Sequence, residues 1–187
     1  VMQIGADIYC DTQLMLIELE RRNKIPMLNL PGHEGLNKIV GAWVDTKWFQ
    51  ASVGVIFGEI GHMMPKEFID DRTKMSGRPF DIEGMKAAAP FLRDQWRTQL
   101  MWIEERLDGG RHAGTGDWLV GTKPGLVDVQ AFMNPWFVEK NTPDFLARCF
   151  EDAPLTKSWY QRLKDFKGQP AEEIKGKDAR SIAFNAA

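Results

Sequence analysis

The sequence predicts a mainly α protein, in which a β-hairpin and one helix precede an all-helical bundle. Three observations favour this class. Apolar residues recur every three or four positions over most of the chain after residue 35. Short β-prone runs lie in the first ten residues. Residues 25–34 are rich in proline and glycine, which is typical of a linker. We therefore predict a first domain portion at 1–24, a linker at 25–34 and an all-α domain at 35–187.

The composition is that of an ordinary globular protein. The chain has 187 residues, of which 43% are hydrophobic and 27% are charged. A net charge of −2 gives no electrostatic reason to expect a nucleic acid or an anionic membrane as partner. The two cysteines exclude a disulfide framework and a cysteine-cluster metal site, and their scarcity fits a reducing compartment. No apolar run reaches the ~18 residues of a membrane span. We expect a cytoplasmic protein without a metal.

The first elements are predicted to be a hairpin and a helix. Residues 1–4 and 8–10 are β-prone runs on either side of a Gly-Ala-Asp turn signal. Asp11 and Thr12 then offer a helix cap, and two arginines at 21–22 suit the last helical turn. Cys10 ends an apolar strand without a basic neighbour in sequence, so we expect a buried structural thiol.

The bundle is predicted from helical periodicity. The period indicates helices at residues 36–60, 65–75, 82–107, 126–136, 145–150 and 155–166. Pro90 lies within the longest stripe and is expected to kink or split that helix. The glycine-rich segment 108–124 is predicted to be a loop. The last two helices each follow a proline suited to a first turn.

Three motifs have a structural and a functional interpretation. Gly54 and Gly58 favour close packing of two helices, because the apolar 20-mer of a membrane motif is absent. The glycines of 109–116 lack the spacing of a phosphate-binding loop, which favours a plain connection between helices. The seven tryptophans are interpreted mainly as core residues, with lining of an apolar ligand pocket as the alternative.

Asp11 and Thr12 form the pair with the most chemical potential. A hydroxyl and the free backbone N–H groups of a helix N-terminus can bind a carboxylate, and the adjacent aspartate can accept from an ammonium group. A free α-amino acid group carries both charges. Simple N-capping is the other interpretation, and the local chemistry alone favours it.

Two longer segments carry a family resemblance. Residues 1–14, VMQIGADIYCDTQL, resemble the second half of the thioredoxin-like domain of cytosolic glutathione transferases. In that family two strands lead to an acidic residue and Ser or Thr at a helix start. Residues 117–128, DWLVGTKPGLVD, look like the family's aromatic-Leu-x-Gly and Pro-Ser/Thr-x-x-Asp folding motif. Residues 171–183 look like the C-terminal end of bacterial members, so the resemblance covers nearly the whole chain.

The sequence departs from the family motif at Gly125, where the family has Ser or Thr. Glycine can cap a helix but has no side-chain acceptor. Asp128 can still reach back to the free N–H groups of the helix start. We therefore expect a capping box of which only the Asp128 half is made by a side chain.

The resemblance implies a glutathione-transferase-type C-terminal bundle preceded by a remnant of a thioredoxin-like domain. It implies glutathione as cosubstrate, bound by Asp11, Thr12, Val1 and Met2. It also implies thiolate attack on a small apolar electrophile, and a homodimer. The residues expected to wall the electrophile pocket are aromatic: Trp43, Trp48, Phe132 and Trp136.

The catalytic residue of the family, a Ser, Tyr or Cys, belongs to a strand–helix–strand unit that is expected upstream of Val1. The chain alone is therefore expected to be inactive, and whether it is an enzyme stays open. The alternative is a non-catalytic module of the same fold that binds ligands or docks subunits.

Overall fold

The computed structural model describes residues 1–23, 28–114, 116–168 and 170–186. The strands β1 (Met2–Ile4) and β2 (Asp7–Tyr9) pair antiparallel, with Met2 opposite Tyr9. Gly5 in the turn has a φ of 60°, a conformation that glycine adopts without steric cost. The predicted hairpin is thus present.

The described chain is otherwise mainly helical, as predicted. The helices are α1 (Thr12–Arg22), α2 (Glu34–Trp43), α3 (Phe49–Ile60), α4 (Lys66–Ser76), α5 (Ile82–His112), α6 (Leu126–Asn141), α7 (Pro143–Glu151), α8 (Pro154–Lys164) and α9 (Gly176–Asn185). A π-helical turn, Val44–Trp48, joins α2 to α3, and a 3-10 turn, Gly61–Met63, follows α3. Part of the predicted linker, residues 24–27, lies outside the described residues.

The chain divides into two compact units. Unit 1 comprises Val1–Asn29 together with Phe166–Ala187, and unit 2 comprises Leu30–Asp165. The predicted domain limits placed the C-terminal residues with the helical bundle, whereas α9 belongs to the unit of the hairpin. Within unit 1 the side-chain amide of Gln3 donates to the carbonyl oxygen of Ala179 in α9, at 2.8 Å.

The apolar core of unit 2 lies among α3, α5, α6, α7 and α8, with Trp48, Trp96 and Trp159 fully buried. The two glycines of α3 let this helix approach α5 closely. A Cβ atom at Gly58 would lie 2.8 Å from the backbone oxygen of Met85. The pair Gly54 and Gly58 therefore packs two helices together, as the sequence predicts.

The long helix α5 extends further than predicted. It continues through Gly109 and Gly110 to His112, where a loop was expected from residue 108. Its last turn is closed by a bond from Ala113 N to the oxygen of Gly109, at 3.0 Å. Basic residues in this turn also suit the negative end of the helix dipole. Pro90 lies inside α5 and does not split it.

Cys10 is exposed, so the expectation of a buried thiol was wrong. The residue lies between the end of β2 and the cap of α1, outside the paired part of the strand. Position in the connection, and not the apolar character of the preceding run, determines its exposure.

Candidate functional site

The N-terminus of α1 presents Asp11 and Thr12 on the surface of unit 1. Asp11 has extended backbone angles and is the N-cap residue. Its Oδ1 accepts a hydrogen bond from the backbone N–H of Leu14 at 2.8 Å. Thr12 is the first residue of the helix, and its exposed side chain lies at the positive end of the helix dipole. Capping thus uses one oxygen of Asp11.

Val1 and Met2 lie at the same end of the hairpin as this helix start. Met2 is half-buried and pairs with Tyr9, two residues before Asp11. Val1 precedes β1 and exposes 89% of its surface. Strand pairing therefore brings the residues predicted to bind glutathione to one end of unit 1.

A cavity of about 460 Å³ lies in unit 2, beside α2, the π-helical turn and α5. Aromatic walls and polar groups share its surface, and one basic and one acidic residue are among them. The lining residues are Trp43, Lys47, Phe91, Asp94, Gln95, Thr98, Gln99 and Trp102. This volume and this mixture of groups are typical of sites for small organic molecules.

A second cavity, of about 160 Å³, shares Trp43 and Trp102 with the first. Its other lining residues are mostly aliphatic. They are Leu36, Val40, Ile103, Arg106, Leu119, Val120 and Val127. The two indoles therefore line both an aromatic cavity with polar groups and a smaller, mostly aliphatic one.

Three interactions hold Trp43 in place. Its ring stacks on Trp48 with the centroids 5.2 Å apart and the planes at 8°. Its Nε1 donates to Oε1 of Gln99 at 2.8 Å. Its ring also contacts Trp102, with the ring centroids 5.7 Å apart and the ring planes at 44°.

The π-helical turn explains why Trp43 and Trp48 can stack. Residues five positions apart do not share a face of an α-helix. The π-helical turn has i→i+5 hydrogen bonding, which brings Trp43 and Trp48 onto one face.

The four aromatic residues predicted for the electrophile pocket lie in different surroundings. Trp43 lines both cavities, and Trp48 is fully buried behind it. Phe132 stacks on Tyr160 at 5.0 Å, and Trp136 exposes 43% of its surface on α6. Neither Phe132 nor Trp136 lines these two cavities.

Sequence reasoning did not select Phe91 and Trp102 as site residues. Both lie off the apolar stripe of α5, together with Gln95 and Thr98. The spacing of these four residues, 4, 3 and 4 positions, places them on one helix face. The sequence feature that could have identified them as site residues is the presence of two aromatic residues on an otherwise polar face of α5.

Asp128 is a fully buried carboxylate in the folding motif. Its Oδ1 accepts from Leu119 N at 2.9 Å and from Trp159 Nε1 at 2.8 Å, and its Oδ2 accepts from Gly125 N at 2.9 Å. Gly125 completes the exchange with its carbonyl oxygen, which accepts from Asp128 N at 3.1 Å. Burial raises the pKa of Asp128, and the hydrogen bonds oppose that shift. The motif joins the loop of Leu119 to α6 and α8.

Within the described part of the chain, no cluster of three or more His, Cys, Asp or Glu side chains could hold a metal ion. None of the helices described there combines the length and apolar character that a bilayer crossing requires.

Two of three comparisons with known proteins give a match. Residues 63–165 match the family model for the glutathione S-transferase C-terminal domain. The chain is similar to a crystal structure of a GST-like protein from Pseudomonas syringae, with 27% identity and a TM-score of 0.71. That match covers 99% of this chain and 55% of the other, so this chain spans about half the length of the similar structure. None of the curated proteins compared with the chain matches it.

Proposed function

Since the family model covers more than half of the sequence, the chain belongs to the glutathione S-transferase family, and we propose that it binds glutathione at the N-terminus of α1. The γ-glutamyl end of glutathione carries a carboxylate and an ammonium group. Thr12 binds the carboxylate through its hydroxyl and the helix N-terminus, where the dipole favours an anion. The carboxylate oxygen of Asp11 that does not cap the helix accepts a hydrogen bond from the ammonium group. The observation that carries the proposal is the exposed Asp11–Thr12 pair at this helix start.

For the whole protein we propose transfer of glutathione to a small apolar electrophile. The thiolate sulfur forms a bond to the electrophilic carbon, and the leaving group departs with the bonding electrons. Such a reaction needs a hydrogen bond that lowers the thiol pKa. We also propose a homodimer in the cytoplasm, where an exposed free thiol such as Cys10 stays reduced.

The apolar partner binds in the larger cavity of unit 2, against Trp43 and Trp102. Support comes from its volume of about 460 Å³ and from its aromatic walls. Lys47 and Asp94 lie at the same cavity and can orient a polar substituent. Trp48 supports this site from behind, because it stacks on Trp43.

A non-catalytic ligand-binding module is the second candidate. Both cavities are lined entirely by residues of unit 2, so a ligand can bind there without glutathione. A transferase consumes electrophile when glutathione is added, whereas a binding module retains its ligand unchanged. Product analysis with the whole protein separates the two candidates.

Calorimetric titration of glutathione into the chain tests the binding site. Thr12→Ala removes a hydrogen bond to a charged group, worth ~1.5–3 kcal/mol, so affinity falls about tenfold or more. Asp11→Asn keeps the cap and loses the charge that faces the ammonium group, so it weakens binding while α1 stays intact. Thr122→Ala, an exposed threonine of unit 2, is the control. Unchanged affinity in both variants of the pair would show that Asp11 and Thr12 only start the helix.

A further inference from the structure

We propose that helix α9 positions the glutathione site by packing on the β-hairpin, on the face opposite to the side chain of Met2, and that Gln3 is the positioning residue that joins the hairpin to the helix. The inference deepens the proposed function and rests on it for the role of glutathione. The attachment of α9 to the hairpin can be measured without glutathione.

The hairpin by itself is a weak support for a binding site. Its two strands have three residues each, and within the described residues no further strand extends this sheet. A two-stranded hairpin is only marginally stable in water unless another element packs against it. Val1 and Met2, which are predicted to bind glutathione, therefore need a neighbouring element to fix their position.

Gln3 lies on the hairpin face that is turned away from Met2. Successive side chains of a strand point to opposite faces of a sheet. Gln3 and its strand partner Ile8 therefore share one face, and Met2 and Ile4 lie on the other. Although it is polar, Gln3 is half-buried. This burial indicates that another part of unit 1 covers its face of the hairpin.

The side-chain amide of Gln3 joins the hairpin to α9 through two hydrogen bonds. Its Nε2 donates to the carbonyl oxygen of Gly5 at 2.9 Å and to that of Ala179 at 2.8 Å. Gly5 belongs to the hairpin turn, and Ala179 lies in the N-terminal part of α9. One amide group thus fixes the turn and the helix to each other.

A second contact attaches the other end of α9. A Cβ atom at Gly5 would lie 3.2 Å from the Cβ of Ala186, the C-cap residue of the helix. The glycine therefore allows the close approach as well as the positive φ of the turn. Ala179 and Ala186 lie ~10 Å apart along a helix, so the two contacts restrict rotation of α9 on the hairpin.

The position of Gln3 in β1 couples this attachment to the glutathione site. Gln3 directly follows Met2, so docking of α9 favours the strand conformation that holds Val1 and Met2 near the start of α1. Coupling between two equilibria is reciprocal. Glutathione should therefore favour docking of α9, although α9 contributes no residue to the proposed contacts.

The experiment combines NMR-detected hydrogen exchange with calorimetric titration of glutathione. Gln3→Met keeps the length of the side chain and removes the donor. Without glutathione, amides of the hairpin and of α9 should exchange about tenfold faster in this variant. Its glutathione affinity should fall severalfold, because less of the chain is in the conformation that binds. In the original chain, glutathione should slow exchange in α9, and Gln3→Met should reduce this protection.

Two further variants and a control complete the test. Ala183→Pro interrupts α9 from within and leaves the hairpin unchanged, so faster exchange of the hairpin amides would report the loss of docking. Gln3→Lys restores a donor and should restore most of the protection measured without glutathione. Gln50→Met, at an exposed glutamine of α3, is the matched control and should change neither exchange in unit 1 nor glutathione affinity.

Each result decides a separate part of the inference. Unchanged exchange of the hairpin in both Gln3→Met and Ala183→Pro overturns the attachment of α9. Faster exchange with unchanged glutathione affinity shows that α9 only stabilises unit 1, which overturns its positioning role. If the original chain does not bind glutathione, the proposed function fails and the positioning role fails with it, whereas the exchange rates still decide the attachment.

Discussion

The two units of the molecule are stabilised in different ways. The buried hydrophobic residues of the described chain all lie in unit 2, between Val44 and Tyr160. Large exposed apolar side chains are numerous in unit 1: Val1, Ile8, Leu14, Ile17, Leu19, Phe166, Ile174, Ile182 and Phe184. The buried residue of α1 is a carboxylate, Glu18. Apolar burial therefore stabilises unit 2, whereas unit 1 relies on ion pairs and hydrogen bonds.

This difference separates two kinds of site. A fixed aromatic wall requires a packed core behind it, and Trp43 has one in unit 2. A helix N-terminus that binds a charged group requires only exposed backbone and a polar side chain, which unit 1 supplies at Thr12. All seven tryptophans lie in unit 2 and each unit has one cysteine, so spectroscopic and chemical probes can follow the units separately.

The largest expected effect is at Asp128. Asp128→Ala leaves the N–H groups of Leu119, Gly125 and Trp159 without their acceptor. We expect a loss of about 3 kcal/mol in the free energy of unfolding of unit 2, measured by urea denaturation with tryptophan fluorescence. Asp144→Ala, at an exposed first-turn aspartate of α7, should change it by less than ~0.5 kcal/mol. Equal effects of the two substitutions would contradict the structural role of Asp128.

The next effect distinguishes the two cysteines. Cys10 is exposed, whereas burial raises the pKa of Cys149 from 9.0 to about 11. Because the thiolate is the nucleophile, that shift alone lowers the reactive fraction of Cys149 about a hundredfold at neutral pH. With a chromogenic disulfide reagent, Cys10 should react at once and Cys149 only as unit 2 opens. Equal rates in the absence of denaturant would mean that the core of unit 2 is not closed.

A smaller effect is expected where α3 meets α5. Gly58→Ala places a methyl group 2.8 Å from the backbone oxygen of Met85, and a backbone atom cannot move away as a side chain can. We expect a loss of about 2 kcal/mol in thermal or urea unfolding. Gly109→Ala is the control, because this helical glycine has open space around it, and it should stabilise by up to ~1 kcal/mol. A neutral Gly58→Ala would argue against close packing of these helices.

The smallest effect concerns acid pH. Hydrogen bonds and charge from Arg21 and Arg22 lower the pKa of Glu18 from 4.5 to about 2. A lowered carboxyl pKa stabilises the fold above the unfolded value, and that stabilisation is lost as the pH falls from about 4.5 to about 2. Helix α1 should therefore become less stable in this pH range. Glu18→Gln should remove this pH dependence from the NMR amide signals of α1.

The pKa of Asp128 is shifted in the opposite direction from that of Glu18, so the two carboxyl groups affect stability differently as the pH changes. Burial raises the pKa of Asp128, so the folded state binds the proton more tightly than the unfolded state does. Its contribution to stability is largest below the unfolded pKa and falls as the pH rises through the folded pKa. Acid should therefore change the signals of α1 without weakening unit 2 through Asp128. Simultaneous loss of the tryptophan and α1 signals would contradict the comparison.

The sequence alone was sufficient to predict the structural elements that depend on residues adjacent in the chain. The hairpin turn at Gly5, the cap at Asp11 and the prolines that start α7 and α8 each depend on neighbouring residues alone. The family resemblance, also visible in the sequence, predicted the type of bundle that residues 63–165 then matched.

Features that depend on tertiary packing were not predictable in this way. The π-helical turn adds one residue to a turn, and the apolar period of α2 and α3 does not reveal it. Consequently the stack of Trp43 on Trp48 could not be foreseen. Convergence of Phe91 and Trp102 on a cavity depends on how α5 packs beside α2, because both residues lie off the apolar stripe.

Hydrogen exchange of the 187-residue chain, with and without glutathione, tests the central claim most directly. Without glutathione, amides in the core helices of unit 2 should exchange slowly and those of unit 1 quickly. Glutathione should slow exchange in the first turn of α1, at Thr12 and the residues that follow, and leave the core of unit 2 unchanged. If glutathione at millimolar concentration protects no amide of that turn, or protects only residues of unit 2, the assignment of the glutathione site to α1 is wrong.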